Sequence, residues 1–209
     1  MKKFLVFLVV LALVVLIPVM WFIRTRNQLV TLDEQVKSSW SQVENVYQRR
    51  LDLIPNLVAT VKGVANFEQE TLQKVIEARS QATQISQGAL QGAINDPQAF
   101  EKFQAAQGVL SSALSRLMVV VERYPELKAN QNFLELQAQL EGTENRIAVE
   151  RRRFNETAQT YNTAIRRFPE SLVASLSGFA ARPYFQAEAG AAQAPKVDFS
   201  KPAPAPSGP

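Results

Sequence analysis

The chain has 209 residues, 46% of them hydrophobic, which is enough for one membrane segment and one globular domain with a sizeable core. It has no cysteine and no histidine, which excludes disulfides and thiolate chemistry and removes the commonest general base and metal ligand. Lys2, Lys3, Arg24 and Arg26 account for the whole net charge of +4, and no acid precedes Asp33. The body is therefore electrically balanced, which argues against a nucleic-acid-binding module.

A short tail (1–3) precedes Phe4 to Ile23, a run of 20 uncharged and almost wholly apolar residues. As a helix it reaches about 30 Å, the hydrocarbon thickness of a bilayer. Trp21 and Phe22 close it where aromatic rings favour the interface. A cleaved signal peptide is the rival reading. The apolar run is too long for one, and no small-x-small site follows it. The expectation is an uncleaved single-pass anchor over 4–23. The flanking charges nearly tie under the positive-inside rule, and the lean is towards a cytoplasmic N-terminus with an external body.

Helical patterns follow, punctuated by proline, over a domain spanning 27–186. The first covers about 27–54, with Leu29, Leu32, Val36, Trp40, Val43, Val46/Tyr47 and Leu51 at three- and four-residue steps. The second covers about 57–86 and uses Val61, Val64, Leu72, Val75, Ala82 and Ile85. Between them, Pro55 lacks a donor for the carbonyl of Leu51. Either the two patterns form one long kinked helix, with Asn56 or Arg50 repairing the freed backbone, or they are separate helices joined by a turn. No glycine near Pro55 is placed to close a helix.

Residues 87–96 read as a loop, and Asp96-Pro97 as a helix start. The third pattern, about 97–122, steps Phe100, Phe103, Gln107, Leu110, Leu114, Leu117 and Val121, a seam interrupted only by Gln107. The fourth, about 126–168, carries Phe133, Leu136, Leu140, Glu144, Ile147, Arg151, Phe154, Ala158, Tyr161, Ile165 and Phe168. Residues 170–186 look like a short docked segment. From 187 to 209 the composition is Ala/Pro-rich and predicts disorder. The fold expected is all-α: one N-terminal transmembrane helix, then a long antiparallel four-helix bundle of coiled-coil-like packing.

The sequence resembles the LemA family of bacterial membrane proteins. The likeness rests on Arg49-Arg50-Leu51-Asp52-Leu53-Ile54-Pro55-Asn56-Leu57-Val58 with Val61-Lys62-Gly63, and on Glu77-Ala78-Arg79. It rests equally on Glu122-Arg123-Tyr124-Pro125-Glu126-Leu127-Lys128-Ala129-Asn130 and on Thr143-Glu144-Asn145-Arg146-Ile147-Ala148. Asn155, Tyr161-Asn162, Phe168-Pro169 and Pro183-Tyr184-Phe185 complete it, so it covers about residues 27–186. The chain departs from the family at two places. Arg26 precedes Asn27 where relatives often have tyrosine, and Phe67 precedes Glu68 where they often have histidine. The resemblance implies a single membrane helix and a long helical bundle, with no catalytic residues to carry over.

No nucleotide loop, nucleophile elbow, metal-ligand spacing or carboxylate pair bracketing a cleft is present. No cofactor is expected. The residues nominated for structural or partner contact are Arg49, Arg50, Asp52, Pro55, Asn56, Glu122, Tyr124, Pro125, Lys128, Asn130, Glu144 and Arg151. Glu144 and Arg151 lie seven apart on one seam, both towards the core. There an ion-pair network, with Glu68, Arg79 or Glu122 as partners, would fix helix register. Tyr161-Asn162 and Asn155 read as helix-to-helix hydrogen bonding. Arg151-Arg152-Arg153 reads mainly as a solvated face. The functional expectation is a non-enzymatic membrane-anchored scaffold, or an assembly or modulator protein, in the bacterial inner membrane. Homo-oligomerisation is suggested by spare apolar positions at Phe67, Val119 and Leu134. The alternative is an accessory or sensor subunit of a membrane signalling or proteolytic complex, docking a membrane-protein partner at Glu122–Asn130.

Overall fold

A computed structural model describes residues 2–64, 67–89 and 92–186, with backbone alone for 87–89. Helix α1 runs unbroken over Lys2–Lys62, 61 residues or about 90 Å. It is followed by α2 (Gln69–Ala89), a 3-10 turn (Ala93–Asn95), α3 (Pro97–Val121), α4 (Pro125–Lys128), α5 (Gln131–Arg166) and α6 (Glu170–Ser177). Among the described residues there is no strand. The predicted tail 187–209 lies outside the described residues. The loop expected over 87–96 is shorter: α2 continues to Ala89, the 3-10 turn takes 93–95, and residues 90–91 are outside the described part.

Pro55 does not end α1. The second helix therefore does not begin at Leu57. Residues 57–62 finish α1, and Gly63 and Val64 close it with short bonds to Thr60 and Val61 carbonyls. The fourth pattern is also divided. Pro125 starts the one-turn α4, and α5 begins only after Asn130, whose side chain accepts from the Phe133 N–H at 3.1 Å. Asp96 caps α3 in the same way, accepting from the Gln98 N–H, with Pro97 at the first helical position.

The carbonyl that Pro55 cannot serve is bonded from outside the helix. Arg79 of α2 donates through Nε to the Leu51 oxygen at 3.0 Å. Arg50 and Asn56, expected for this repair, do not make it. Arg50 turns into the core, and Asn56 faces outward.

Helix α5 runs antiparallel to α1, as the Arg50–Glu144 and Ser39–Thr157 contacts fix, and α3 packs antiparallel to α2. The apolar stripes meet in two cores. One, at the end nearer the apolar run, holds Leu29, Val36, Trp40, Val43, Tyr47, Phe100, Phe103, Ile147, Phe154, Tyr161 and Ile165. The Trp40 ring lies 5.3–5.6 Å from Phe103, Phe154 and Phe100. Each such pair adds about 0.5–1.5 kcal/mol beyond area burial. The distal core holds Leu51, Ile54, Leu57, Val61, Leu72, Val75, Leu110, Leu117, Leu127, Phe133 and Leu140. Phe67 belongs there, buried and stacked on Tyr124 at 4.8 Å, so it is no spare apolar position.

After α6, Gly178 adopts a left-handed conformation (φ 74°), and residues 179–186 continue as an extended strap along α5. Asn162 exchanges two hydrogen bonds with the backbone of Arg182, both 2.8 Å. Asn155 does the same with Phe185, at 3.0 and 2.9 Å. Seven helical residues rise about 10.5 Å, and three extended residues span about 10 Å, so the two spacings match. The Asn155, Tyr161 and Asn162 set thus binds backbone of the strap, with Tyr161 donating to the Ala180 carbonyl, instead of joining helix to helix. Arg182 reaches α1, where it meets Asp33 at 2.5 Å and also bonds Asn95.

Two expectations follow. Replacing Arg79 by Met orphans the Leu51 carbonyl and costs about 1–3 kcal/mol in urea unfolding. In a Pro55→Ala background the restored N–H takes that carbonyl, and the same replacement costs markedly less. Equal costs in both backgrounds would refute the repair role. The second concerns Asp33. Burial pushes its carboxyl up, but hydrogen bonds and charges from Arg182 and Lys37 outweigh this and hold it below 3.8. A depressed folded pKa contributes stability that is complete above about pH 3.8 and lost as pH falls through the folded value. Asp33→Asn therefore speeds proteolysis within 178–186 at pH 7, whereas the wild-type strap loosens only below about pH 3.8.

Candidate functional site: a buried guanidinium between two cores

Consecutive residues on a helix diverge by about 100°, so Arg49 and Arg50 cannot share an environment. Arg49 is exposed, whereas the Arg50 side chain is 1% exposed and among the largest fully buried groups. It lies between Tyr47 of the proximal core and Leu51 of the distal core. The same division occurs on each facing helix. Gln107 separates Phe103 from Leu110 on α3, and Glu144 separates Ile147 from Leu140 on α5. A polar layer therefore crosses the bundle at one level.

Its bonds are dense. Arg50 Nη1 donates to the Ser111 hydroxyl and to Glu144 Oε1, both at 2.7 Å. Nη2 donates to the Gln107 side-chain oxygen at 2.5 Å and to its carbonyl at 3.3 Å. The guanidinium carbon stands 5.1 Å from the Tyr47 ring centre. Gln107 then donates to the Ser86 hydroxyl of α2 at 3.1 Å, so α1, α2, α3 and α5 all contribute. Only Arg50 Nε is buried without a partner in this layer. A lone buried cation would cost several kcal/mol, and these acceptors offset that cost.

The expected Glu144–Arg151 seam is corrected. Glu144 is half-buried and pairs with Arg50 across the bundle. Arg151 serves the strap, donating to the Gln186 carbonyl at 2.8 Å and covering the Phe185 ring at 4.8 Å. The partners nominated for Glu144 and Arg151 are taken: Glu68 by Arg123, Glu122 by Lys128, and Arg79 by the Leu51 carbonyl. Arg152 is exposed, and Arg153 pairs with Glu150.

An open groove of about 750 Å³ lies over this layer between α3 and α5. Its floor includes Tyr47 and Arg50, its walls Gln104, Ser111, Glu144 and Arg151, and the strap closes one side with Tyr184 and Gln186. Arg50 cannot act as a base there, because guanidinium does not deprotonate in proteins. The described residues contain no group of three or more Asp, Glu, His or Cys able to hold a metal. Burial pushes the Glu44 carboxyl up, against a hydrogen bond from Trp40, but Glu44 stands alone and not in the groove.

The other nominated residues form no common site. Asp52 is exposed and accepts from Gln48, and Pro55 and Asn56 face outward. Glu122, Tyr124, Pro125, Lys128 and Asn130 build the α3–α5 corner through a surface ion pair, an aromatic stack and two helix starts. The two signature stretches do share the distal core, where Leu57, Val58 and Val61 cluster with Leu127. Sequence reasoning named Arg79 only as an ion-pair partner and did not nominate Gln107, Ser111, Asp33 or Arg182. Gln107 had a visible signal as the one polar residue on the third seam. Ser111, Asp33 and Arg182 had none.

Breaking the layer on one side is expected to cost more than removing it. Glu144→Leu leaves Arg50 with neutral acceptors alone and costs about 2–3 kcal/mol, the lower end for a pair whose acid is half-exposed. Adding Arg50→Met to that variant recovers part of the loss. Urea titrations of the four proteins in a double-mutant cycle measure this, and strict additivity would show that the two groups are not coupled.

The LemA family model matches residues 39–199. Magnetosome protein MamQ of Magnetospirillum gryphiswaldense is 30% identical over 173 residues, 76% of this chain and 64% of that protein. Magnetosome protein MamQ 2 of Paramagnetospirillum magneticum is 29% identical over 77% of the chain and 64% of its own length. Protein LemA of Metamycoplasma hominis is 24% identical over 80% and 73%. The match thus spans just under two thirds of the length of the MamQ relatives. α1 supplies the only stretch among the described residues long and apolar enough to cross a membrane. The chain belongs to the LemA family and is a single-pass membrane protein with an all-helical body.

Proposed function

We propose that this protein is a non-enzymatic scaffold or assembly protein of the bacterial inner membrane, with its body on the external side. The observation that carries the reading is the continuity of α1. One helix forms the span, then the apolar stripe of both cores, with no break until Gly63. A body joined to its anchor in this way holds a set height and direction at the membrane surface, which suits assembly. The site at the bundle centre fits the same reading, because both Nη atoms of its guanidinium are held by acceptors that tie helices together. The relatives named as magnetosome proteins support a role in a membrane-associated structure.

Assembly takes the form of self-association through exposed apolar positions. Val119 is 70% exposed and Leu134 47%, and both project from otherwise polar helix faces. Sedimentation velocity of the full chain in detergent is expected to give a species larger than the 23.3 kDa monomer. Val119→Glu with Leu134→Glu is expected to return it to monomer and to change stability by less than about 0.5 kcal/mol. A wild-type monomer at all concentrations would remove the self-assembly reading. A cysteine at the exposed Ser80 of α2, outside the self-association positions, should react with an impermeant maleimide in intact spheroplasts, and reaction only after lysis would overturn the external placement.

A further inference from the structure

Phe168 was expected to close the fourth seam inside the bundle. It is instead 77% exposed. Just after it, Leu172 (56%) and Leu176 (79%) lie four residues apart on the outward side of α6. The opposite side of α6 is buried: Val173 and Ala174 join the proximal core with Leu29 and Ile165, against which Phe22 also packs. A soluble protein seldom leaves three large apolar side chains in a row without a partner.

The position of α6 identifies that partner. The antiparallel pairing of Arg50 with Glu144 and Ser39 with Thr157 puts the end of α5, near residue 166, beside α1 at about Val30, roughly 10 Å past Ile23. Arg182 bonds Asp33, so the chain before it, α6 included, lies towards the N-terminal side of that level. Ile23 ends the apolar run, and Leu29 stands only about 9 Å further along the helix axis. Exposed cations flank this level: Arg24 and Arg26 on α1, Arg166 at the end of α5 and Arg167 just after it. An apolar stripe edged by arginines beside a membrane span has the composition of a helix lying in the bilayer interface.

We propose that α6 is a second, in-plane membrane contact. Phe168, Leu172 and Leu176 enter the headgroup–acyl boundary of the leaflet from which α1 emerges, and Arg166 and Arg167 meet anionic headgroups. The occupant of the apolar stripe is lipid, not another copy of the chain. This rests on the reading that residues 4–23 span the bilayer.

The absence of native cysteine permits a direct test. Full-length single-cysteine variants Leu172→Cys, Leu176→Cys, Ser80→Cys and Leu13→Cys, Ser80 being an exposed position on α2, are labelled with an environment-sensitive fluorophore and reconstituted into phosphatidylcholine–phosphatidylglycerol vesicles. Lipids carrying a quencher high on the acyl chain should quench the Leu172 and Leu176 labels several-fold more than the Ser80 label. Quenchers near the chain terminus should quench the Leu13 label. Arg166→Gln with Arg167→Gln should reduce quenching at Leu172. Labels at 172 and 176 that stay as water-accessible as the one at 80, with Leu13 quenched, would overturn the α6 contact alone. An unquenched Leu13 would overturn the spanning reading beneath it. Labels at 172 and 176 shielded only at high protein-to-lipid ratio, without lipid quenching, would assign the stripe to a second copy and also overturn the proposal.

Discussion

Arg50 is the constraint on which the bundle depends. A guanidinium buried this deeply tolerates few arrangements, because its donors need acceptors at fixed points. Those acceptors sit on α3 and α5, and Gln107 passes the connection to α2. A one-residue slip of α5 against α1 would move Glu144 off the guanidinium and leave the charge uncompensated. An apolar layer here would discriminate less between registers, since leucines interdigitate in several alignments. On this argument the layer contributes specificity of alignment more than net stability. It also separates two apolar cores that would otherwise form one long greasy seam along about ten turns of helix.

The proline at 55 depends on the same economy of polar groups. Inside a helix a proline frees one carbonyl and crowds it. Here the freed oxygen is the one at Leu51, next to Arg50, and the Arg79 guanidinium takes it. Two arginines thus serve adjacent levels of α1, one inward to the polar layer and one from α2 onto the backbone. This explains why the Arg-Arg-Leu-Asp-Leu-Ile-Pro stretch and the more remote Glu-Ala-Arg stretch belong together. They complete one hydrogen bond that neither can make alone.

Much of this was legible in the sequence, and the limits have physical causes. The span, most of the seams of α1, α3 and α5, and the start of α3 follow from periodicity and proline placement, which are local signals, whereas the start of α5 lies five residues later than the proline suggested. The passage of α1 through Pro55 was left open, because its resolution depends on Arg79, a contact between residues 28 apart in sequence. Glu144 and Arg151 share a helical phase, and phase alone suggested a shared fate. Their separate partners, Arg50 and the strap, are set by tertiary placement. The strap carries no periodic signal, since residues 179–186 are ordered by side-chain amides on another helix. Arg182, which ties the strap to Asp33, was therefore invisible as a site.

The same distances bear on how the body meets the membrane. A hinge between span and bundle would need a break in α1, and the two prolines within it leave the helix continuous. The first true end, at Lys62, comes after the polar layer and most of the distal core have been assembled on α1. The strap adds a second tie on the membrane side of that layer, through Arg182 to Asp33 and Phe185 to the Trp40 cluster. Any tilt of the span must then carry the body with it. The position of α6 beside the end of the apolar run is a consequence: a body that cannot swing away keeps Phe168, Leu172 and Leu176 at the level of the headgroups, where exposing them to water would cost the most and burying them in lipid costs least.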